Sequence, residues 1–202
     1  MIDYPIQLNT LEFKSVVHEL SKDVDEVIET GTFHGNGSTL IFAETGKYVF
    51  TIECNAQNFQ IATQNTANFH NVCVIHGLSL SRDFLIKGLL HEDFNIDTVY
   101  DSKFPKSFYM REISQMVTVD NALEVFCKND RKQLIFLDSA GGVGWLEFQY
   151  IMSLPKEFLQ KKILMLDDIS HIKHFRSVQW LFDNGYQVEV SQDKRFAWCR
   201  LG

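Results

Sequence analysis

Residues 26–39 constrain the fold of this 202-residue chain more than any other stretch. A short β-branched run ends in the acid Glu29, and Ser38 begins an amphipathic segment. Between them lies a loop with three glycines, Gly31, Gly35 and Gly37. A strand, a glycine loop and a helix start, in that order, bring backbone close to a ligand and direct free N–H groups at it. The stretch therefore predicts a ligand-binding loop at a strand end.

The rest of the chain alternates apolar, strand-like runs with helix-like segments. Further buried strands are predicted at residues 48–53, 72–76, 133–138 and 162–168, with helices between them. The last two strand-like runs, residues 186–191 and 196–201, are joined by only four residues and must be antiparallel. The sequence thus predicts an α/β fold, with a Rossmann-like, doubly wound, mostly parallel seven-stranded sheet and an antiparallel C-terminal hairpin.

One domain is expected over residues 1–202, because a chain of this length buries about 70% of its unfolded surface in one core. Residues 92–119 interrupt the alternation with an aromatic insertion. Such insertions are typical of a lid or substrate wall, and equally of a packed surface loop. A helix is also predicted over residues 10–22, with Thr10 as its cap, and another over residues 171–184.

Charge and composition argue against several classes of protein. The net charge is −7 and no Lys/Arg stripe is present, so a nucleic-acid partner is not expected. No run approaches the roughly 20 apolar residues of a membrane span, and the N-terminus lacks a signal-peptide pattern. The cysteines are scattered without a Cys-x-x-Cys pair and are predicted to be reduced thiols: Cys54, Cys73, Cys127 and Cys199. We therefore expect a cytoplasmic protein.

Carboxylates end most of the predicted parallel strands: Glu29, Glu53, Asp138 and the pair Asp167-Asp168. Any one of them could simply cap the following helix. In open α/β sheets, however, ligands bind outside the carboxyl ends of the strands, so acids gathered on this edge indicate a site. Glu53 lies 22 residues beyond Gly31, where an acid can accept hydrogen bonds from both ribose hydroxyls of a nucleoside.

The glycine spacing narrows the choice of ligand. The dinucleotide fingerprint is Gly-x-Gly-x-x-Gly and places a pyrophosphate on the helix N-terminus. Here the pattern is Glu-x-Gly-x-x-x-Gly-x-Gly, with Glu29 two residues before the first glycine. A negative group at that position suits a ligand that carries an ammonium group better than it suits a pyrophosphate.

Residues 29–37, Glu-Thr-Gly-Thr-Phe-His-Gly-Asn-Gly, resemble motif I of the class I S-adenosylmethionine (SAM) methyltransferases, and Glu53 resembles their ribose-binding acid. The terminal hairpin is similar to the reversed seventh strand of that fold. With Leu-Asp-Ser at 137–139 and Leu-Asp-Asp at 166–168, the chain looks most like the catechol O-methyltransferase-like and cephalosporin-hydroxylase-like branch. The resemblance covers roughly residues 24–80 and 132–202.

The resemblance implies methyl transfer from SAM to a small-molecule acceptor, with an oxygen as the expected acceptor atom. The implied cofactor-binding residues are Glu29, Gly31, Thr32, Gly35, Gly37, Ser38, Glu53, Gly77 and Ser79. The implied ligands of Mg²⁺ or another divalent cation are Asp138, Asp167 and Asp168. Neither a nucleic acid nor a membrane is expected as a partner, and a homo-oligomer is compatible with the sequence.

One departure from that branch concerns the base. Its metal-dependent members usually carry His or Lys just after the fourth-strand acid, but here Ser-Ala-Gly follows Asp138. His171 and His174 are candidates to replace it as base or ligand, although both could lie on a solvated helix face. Asp138 and His171 are therefore our catalytic candidates. Two alternatives stay open: an NAD-type oxidoreductase or epimerase on the same sheet, and a non-catalytic SAM-binding module.

Overall fold

The computed structural model describes residues 11–90 and 106–202. Its strands are β1 Glu26–Thr30, β2 Tyr48–Glu53, β3 Val72–His76, β4 Gln133–Leu137, β5 Lys162–Leu166, β6 Glu189–Val190 and β7 Ala197–Arg200. They form one seven-stranded sheet in the order β3-β2-β1-β4-β5-β7-β6. Strands β1 to β5 are parallel to their neighbours, whereas β7 is antiparallel to both β5 and β6. The predicted sheet with a reversed last strand is confirmed.

Helices connect the strands within the described part of the chain. They are α1 Leu11–Ser21, α2 Ser38–Glu44, α3 Ala56–Asn65, α4 Arg82–Leu90, α5 Lys106–Ile113, α6 Ala122–Cys127, α7 Gly142–Met152, α8 Lys156–Leu159 and α9 Phe175–Asp183. Asn55 caps α3, since its side chain accepts the N–H groups of Gln57 and Asn58. None of the helices in the described ranges is long and apolar enough to cross a membrane.

Apolar side chains pack on both faces of the sheet, as expected for a doubly wound fold. Val27 belongs to one cluster and Ile28 to the other, because successive side chains of a strand point to opposite faces. The first cluster is built on α1, where the ring of Phe13 meets that of Phe196 edge-on at 5.3 Å. The second contains Phe148 of α7 and continues under the strand ends that form the site.

Three predicted helix starts were wrong. The last helix begins at Phe175 and not at residue 171, because the chain turns after β5 and the His171 N–H donates to the Asp168 carbonyl at 2.8 Å. The segment predicted to be helical from Ser79 becomes so only at Arg82. Asp120 does not cap α6 either, since its Oδ1 accepts the Arg82 N–H at 3.1 Å. Thr10 and residues 92–105 of the predicted insertion lie outside the described residues.

Candidate cofactor and acceptor site

Glu29 is a buried acid that holds the glycine loop in place through hydrogen bonds. Its side chain is 0% exposed and accepts hydrogen bonds from the Ser38 hydroxyl, from Thr39 Oγ1 at 2.6 Å and from Thr51 Oγ1 at 2.6 Å. Burial raises the pKa of Glu29, and the three hydroxyl donors oppose that rise by stabilising the ionised form. Glu29 thus joins the end of β1 to the start of α2 and to β2. Its direct contact with an ammonium group of a ligand stays a prediction.

Two glycines let this loop approach its surroundings closely. Gly31 has φ +77°, and a Cβ placed on it would lie 2.6 Å from the Asp138 carbonyl oxygen. Gly35 has φ +65°, and a Cβ added to it would lie 3.1 Å from the Cβ of Ala62 in α3. At Gly37, by contrast, an added Cβ would meet nothing within 4 Å. The loop is therefore packed against β4 and α3 on its inner side and is open at Gly37.

Thr32 lies at the inner side of the same loop. Its N–H and that of Gly31 both donate to the Ile52 carbonyl, at 3.3 and 3.1 Å. Thr32 is buried, and its hydroxyl forms a hydrogen bond with that of Thr51. These bonds hold the loop against the end of β2, next to Glu53.

Glu53 ends β2 and is 7% exposed. Its Oε2 accepts the Phe33 N–H at 2.7 Å, and its Oε1 accepts the Asn55 N–H at 2.8 Å. Burial raises the pKa of Glu53 to about 7, against the lowering effect of these backbone donors, and the nearby Glu112 raises it further. A carboxylate has about four lone-pair sites, so the group can still accept a further hydroxyl donor. The predicted role of Glu53 in accepting the ribose hydroxyls of a nucleoside stays a prediction.

Gly77 and Ser79 follow β3. A Cβ on Gly77 would lie 2.9 Å from the Val119 carbonyl oxygen, so the backbones of the two segments touch there. Ser79 is buried and donates a hydrogen bond to Glu147. The proposed place of both residues on the adenine side of a cofactor stays a prediction.

Glu147 of α7 is a buried acid that sequence analysis missed. It is 0% exposed and accepts Thr30 Oγ1 at 2.8 Å and Ser139 Oγ at 2.6 Å, besides Ser79. Burial raises the pKa of Glu147 to about 7, and these hydroxyl donors limit the rise. One carboxylate thus links the ends of β1, β3 and β4. Its sequence signal was a single charged residue in a mostly apolar helix.

The three aspartates implied as metal ligands do come together. Asp138 follows β4, while Asp167 and Asp168 follow β5, and oxygens from all three lie within 4.8 Å of one another. Asp168 has φ +51°, which lies in the left-handed region. The chain turns there and directs Lys173 back towards the aspartates.

Lys173 places an ammonium group among these carboxylates. Its Nζ contacts Asp138 Oδ1 and lies 3.1 Å from Asp168 Oδ2 and 3.6 Å from Asp167 Oδ2. Burial lowers the pKa of Lys173, but the three carboxylates outweigh it and leave the pKa raised. Lys173 therefore stays an ammonium ion.

Arg195 adds a second cation to the same group of acids. Its Nε and Nη2 lie 3.1 and 3.3 Å from the two carboxylate oxygens of Asp167, a bidentate arrangement. Burial opposes ionisation of Asp167, yet Lys173 and Arg195 together hold its pKa below the ordinary value. At Asp138 burial dominates and raises the pKa, despite the adjacent ammonium.

The space between the three carboxylates is occupied by the Lys173 ammonium group. A metal ion bound to all three aspartates would need the space in which the Lys173 ammonium contacts them. Lys173 and Arg195 also offset the negative charge that would attract such an ion. The residues present therefore do not fit a divalent metal in this arrangement.

The two candidate histidines differ in their surroundings. His174 is fully buried, with Nε2 3.1 Å from the Leu137 carbonyl and Nδ1 3.1 Å from Ser177 Oγ. Burial lowers the pKa of His174 to about 3, so it is neutral, and both ring nitrogens are engaged. The expectation that His174 could act as base or ligand is wrong for this reason. His171 is partly exposed in the turn after Asp168, and its role as a base stays a prediction.

The described part of the insertion, α5, lies across the strand ends. Asn55 Nδ2 donates to Glu112 Oε2 at 2.7 Å, next to Glu53. At the other side, a Cβ on Gly141 would lie 2.5 Å from the Tyr109 ring. Helix α5 therefore contacts both the loop after β2 and the turn after Asp138, and its role as a lid or substrate wall stays a prediction.

Comparison with known proteins finds similarity at the level of structure. Neither a family model nor a curated protein matches the chain. A Staphylococcus aureus protein provisionally assigned as a caffeoyl-CoA O-methyltransferase superposes with a TM-score of 0.59 at 19% identity, covering 96% of this chain and 85% of that chain. TomG, an O-methyltransferase from Streptomyces achromogenes solved with SAM, gives 0.56 at 13% identity, over 98% and 83% of the two chains.

A Bacillus cereus O-methyltransferase solved with S-adenosylhomocysteine (SAH) gives a TM-score of 0.56 at 13% identity, covering 97% of this chain and 84% of that chain. Similarity at these identities establishes the fold. The chain has the Rossmann-like fold of the class I methyltransferases. The alternative of an NAD-type oxidoreductase or epimerase is not favoured.

Proposed function

We propose that this protein is a SAM-dependent methyltransferase that acts on an oxygen of a small molecule. The observation that carries the proposal is the buried Glu53 carboxylate, which ends β2 and is held by backbone N–H groups beside the glycine loop. It lies next to the switch point between β1 and β4, where open α/β sheets bind their ligands. The reversed β7 and the O-methyltransferase neighbours support the same assignment.

Bound SAM would supply an electrophilic methyl group on its sulfonium sulfur. Glu53 would orient the ribose, while Glu29 and its three hydroxyl donors keep the loop from moving during transfer. Such positioning is the main contribution a protein makes to an in-line transfer between two bound reactants.

Asp138 would lie on the acceptor side. Its side chain is 20% exposed, and its backbone touches the glycine loop at Gly31, so it is close to the cofactor and still accessible. A carboxylate there can orient an acceptor hydroxyl and take its proton. His171, in the turn after Asp168, is the second candidate for that proton, and α5 would form the wall of the pocket.

Calorimetry with SAH tests the proposal. The wild-type protein should bind SAH, and Glu53→Gln should weaken binding by about tenfold to a hundredfold, because a hydrogen bond to a charged group contributes roughly 1.5–3 kcal/mol. Glu157→Gln, which removes an exposed acid of α8, should leave the affinity unchanged. Absence of wild-type binding at high micromolar SAH would refute the cofactor assignment.

A turnover assay separates an enzyme from a non-catalytic SAM-binding module. Methyl transfer from labelled SAM would be followed across a panel of aromatic, sugar and lipid-like hydroxyl compounds. A protein that binds SAH but methylates none of these classes would support the binding module instead.

A further inference from the structure

We propose that Lys173 is the resident cation of the acidic site, so that the three aspartates bind no divalent metal while its ammonium group is in place. This acidic site lies at the carboxyl ends of β4 and β5, outside the glycine loop. This role of Lys173 deepens the proposed function by specifying the chemistry of the acceptor side, and it is measured separately from cofactor binding.

The contacts of the ammonium group carry the inference. Besides Asp138 Oδ1 and Asp168 Oδ2, Nζ lies 3.4 Å from the Asp138 carbonyl oxygen. An ammonium group has three protons, and three acceptors are within reach of them. A magnesium ion would instead keep open positions for waters or substrate oxygens. The site therefore offers an acceptor molecule carboxylate oxygens rather than a Lewis acid.

Packing fixes the position of this ammonium group. The adjacent His174 ring is held between the Leu137 carbonyl and Ser177 Oγ, both at 3.1 Å. Gly144 of α7 lies against the Lys173 stem, since a Cβ there would come within 3.1 Å of Lys173 Cγ. The side chain is 7% exposed, so little solvent is available to draw it outwards. Lys173 is thus built into the site.

Binding of Mn²⁺ tests the inference, with the loss of the free-ion signal in electron paramagnetic resonance as the readout. Wild-type protein should leave the signal of 1 mM Mn²⁺ unchanged. Lys173→Gln should bind one Mn²⁺ per chain, at least tenfold more tightly than wild type, because the carboxylates lose their ammonium partner. Lys161→Gln removes an exposed lysine paired with Asp130 and should behave as wild type. The double variant Lys173→Gln/Asp138→Asn should bind Mn²⁺ more weakly than Lys173→Gln.

The melting temperature, measured with and without Mn²⁺, tests the same proposal even if Lys173→Gln is less stable than the wild type. An ion that binds only the folded state raises the melting temperature of the protein. Mn²⁺ should therefore raise that of Lys173→Gln and leave that of the wild type unchanged. One-site Mn²⁺ binding by the wild type would overturn the inference, as would a Lys173→Gln protein that neither binds Mn²⁺ nor is stabilised by it. SAH calorimetry on the same samples reports on the cofactor proposal independently.

Discussion

Replacement of Gly31 by alanine tests the close contact between the glycine loop and β4. Gly31 has φ +77°, and its new Cβ would lie 2.6 Å from the Asp138 carbonyl oxygen. A left-handed conformation costs a non-glycine residue about 1–2 kcal/mol. The steric overlap adds about 1–3 kcal/mol. The Cβ is fixed to the backbone after β1 and the carbonyl belongs to the backbone after β4, so the contact can be relieved only if these segments move apart. Gly31→Ala should therefore lower the free energy of unfolding by about 2–5 kcal/mol.

Gly46→Ala is the matched control. Gly46 has φ +72°, but a Cβ there would meet nothing within 4 Å, so only the conformational cost of about 1–2 kcal/mol applies. The difference between the two variants isolates the contact with Asp138.

Urea denaturation of both variants and the wild type gives the free energies, and calorimetry with SAH gives the functional effect. In a chain of this size, each kcal/mol corresponds to about 2–4 °C in melting temperature. Gly31→Ala should also weaken SAH binding, since the loop has to move away from β4, whereas Gly46→Ala should not. Equal destabilisation by the two substitutions would refute the reasoning, because the contact would then have no energetic effect.

Two further predictions concern buried acids. The Glu147 carboxyl has an ordinary pKa of 4.5 and a pKa of about 7 in the folded protein. Because the folded state binds this proton more tightly than the unfolded state, the free energy of unfolding should fall as the pH rises from 4.5 to 7. The expected fall is roughly 3 kcal/mol. Glu147→Gln should make the fall of the unfolding free energy between pH 5 and pH 8 less steep, with the part due to Glu53 remaining, and a profile parallel to that of Glu157→Gln would contradict this. Thr51→Val removes one donor from buried Glu29 and should destabilise the fold by about 1–3 kcal/mol in urea. The idea would fail if the loss were below about 0.5 kcal/mol.

The strands of the sheet could be predicted from the sequence, because they depend on residues that are neighbours in the chain. β-Branched runs and glycines predicted the parallel strands, and β-strand adjacency then brought Asp138 close to Asp167 and Asp168. The short link in the last hairpin likewise predicted that β7 is reversed.

The positions of Lys173 and Glu147 could not be predicted from local sequence patterns. A helix starting at residue 171 would have left Lys173 on a helix face, but the structure has a turn that sends it among the aspartates. Glu147 was missed because an acid in a helix is ordinarily solvated, and its hydroxyl partners come from three separate strand ends. Both residues matter through long-range contacts that have no local pattern.

The two edges of the sheet differ in what they offer to a neighbouring molecule. At one edge β6 consists of only Glu189 and Val190, so an incoming strand could form a ladder over no more than that short length. At the other edge β3 runs for five residues, Val72–His76. Strand addition is thus disfavoured beside the hairpin, and β7 is shielded from exchange because it lies between β5 and β6.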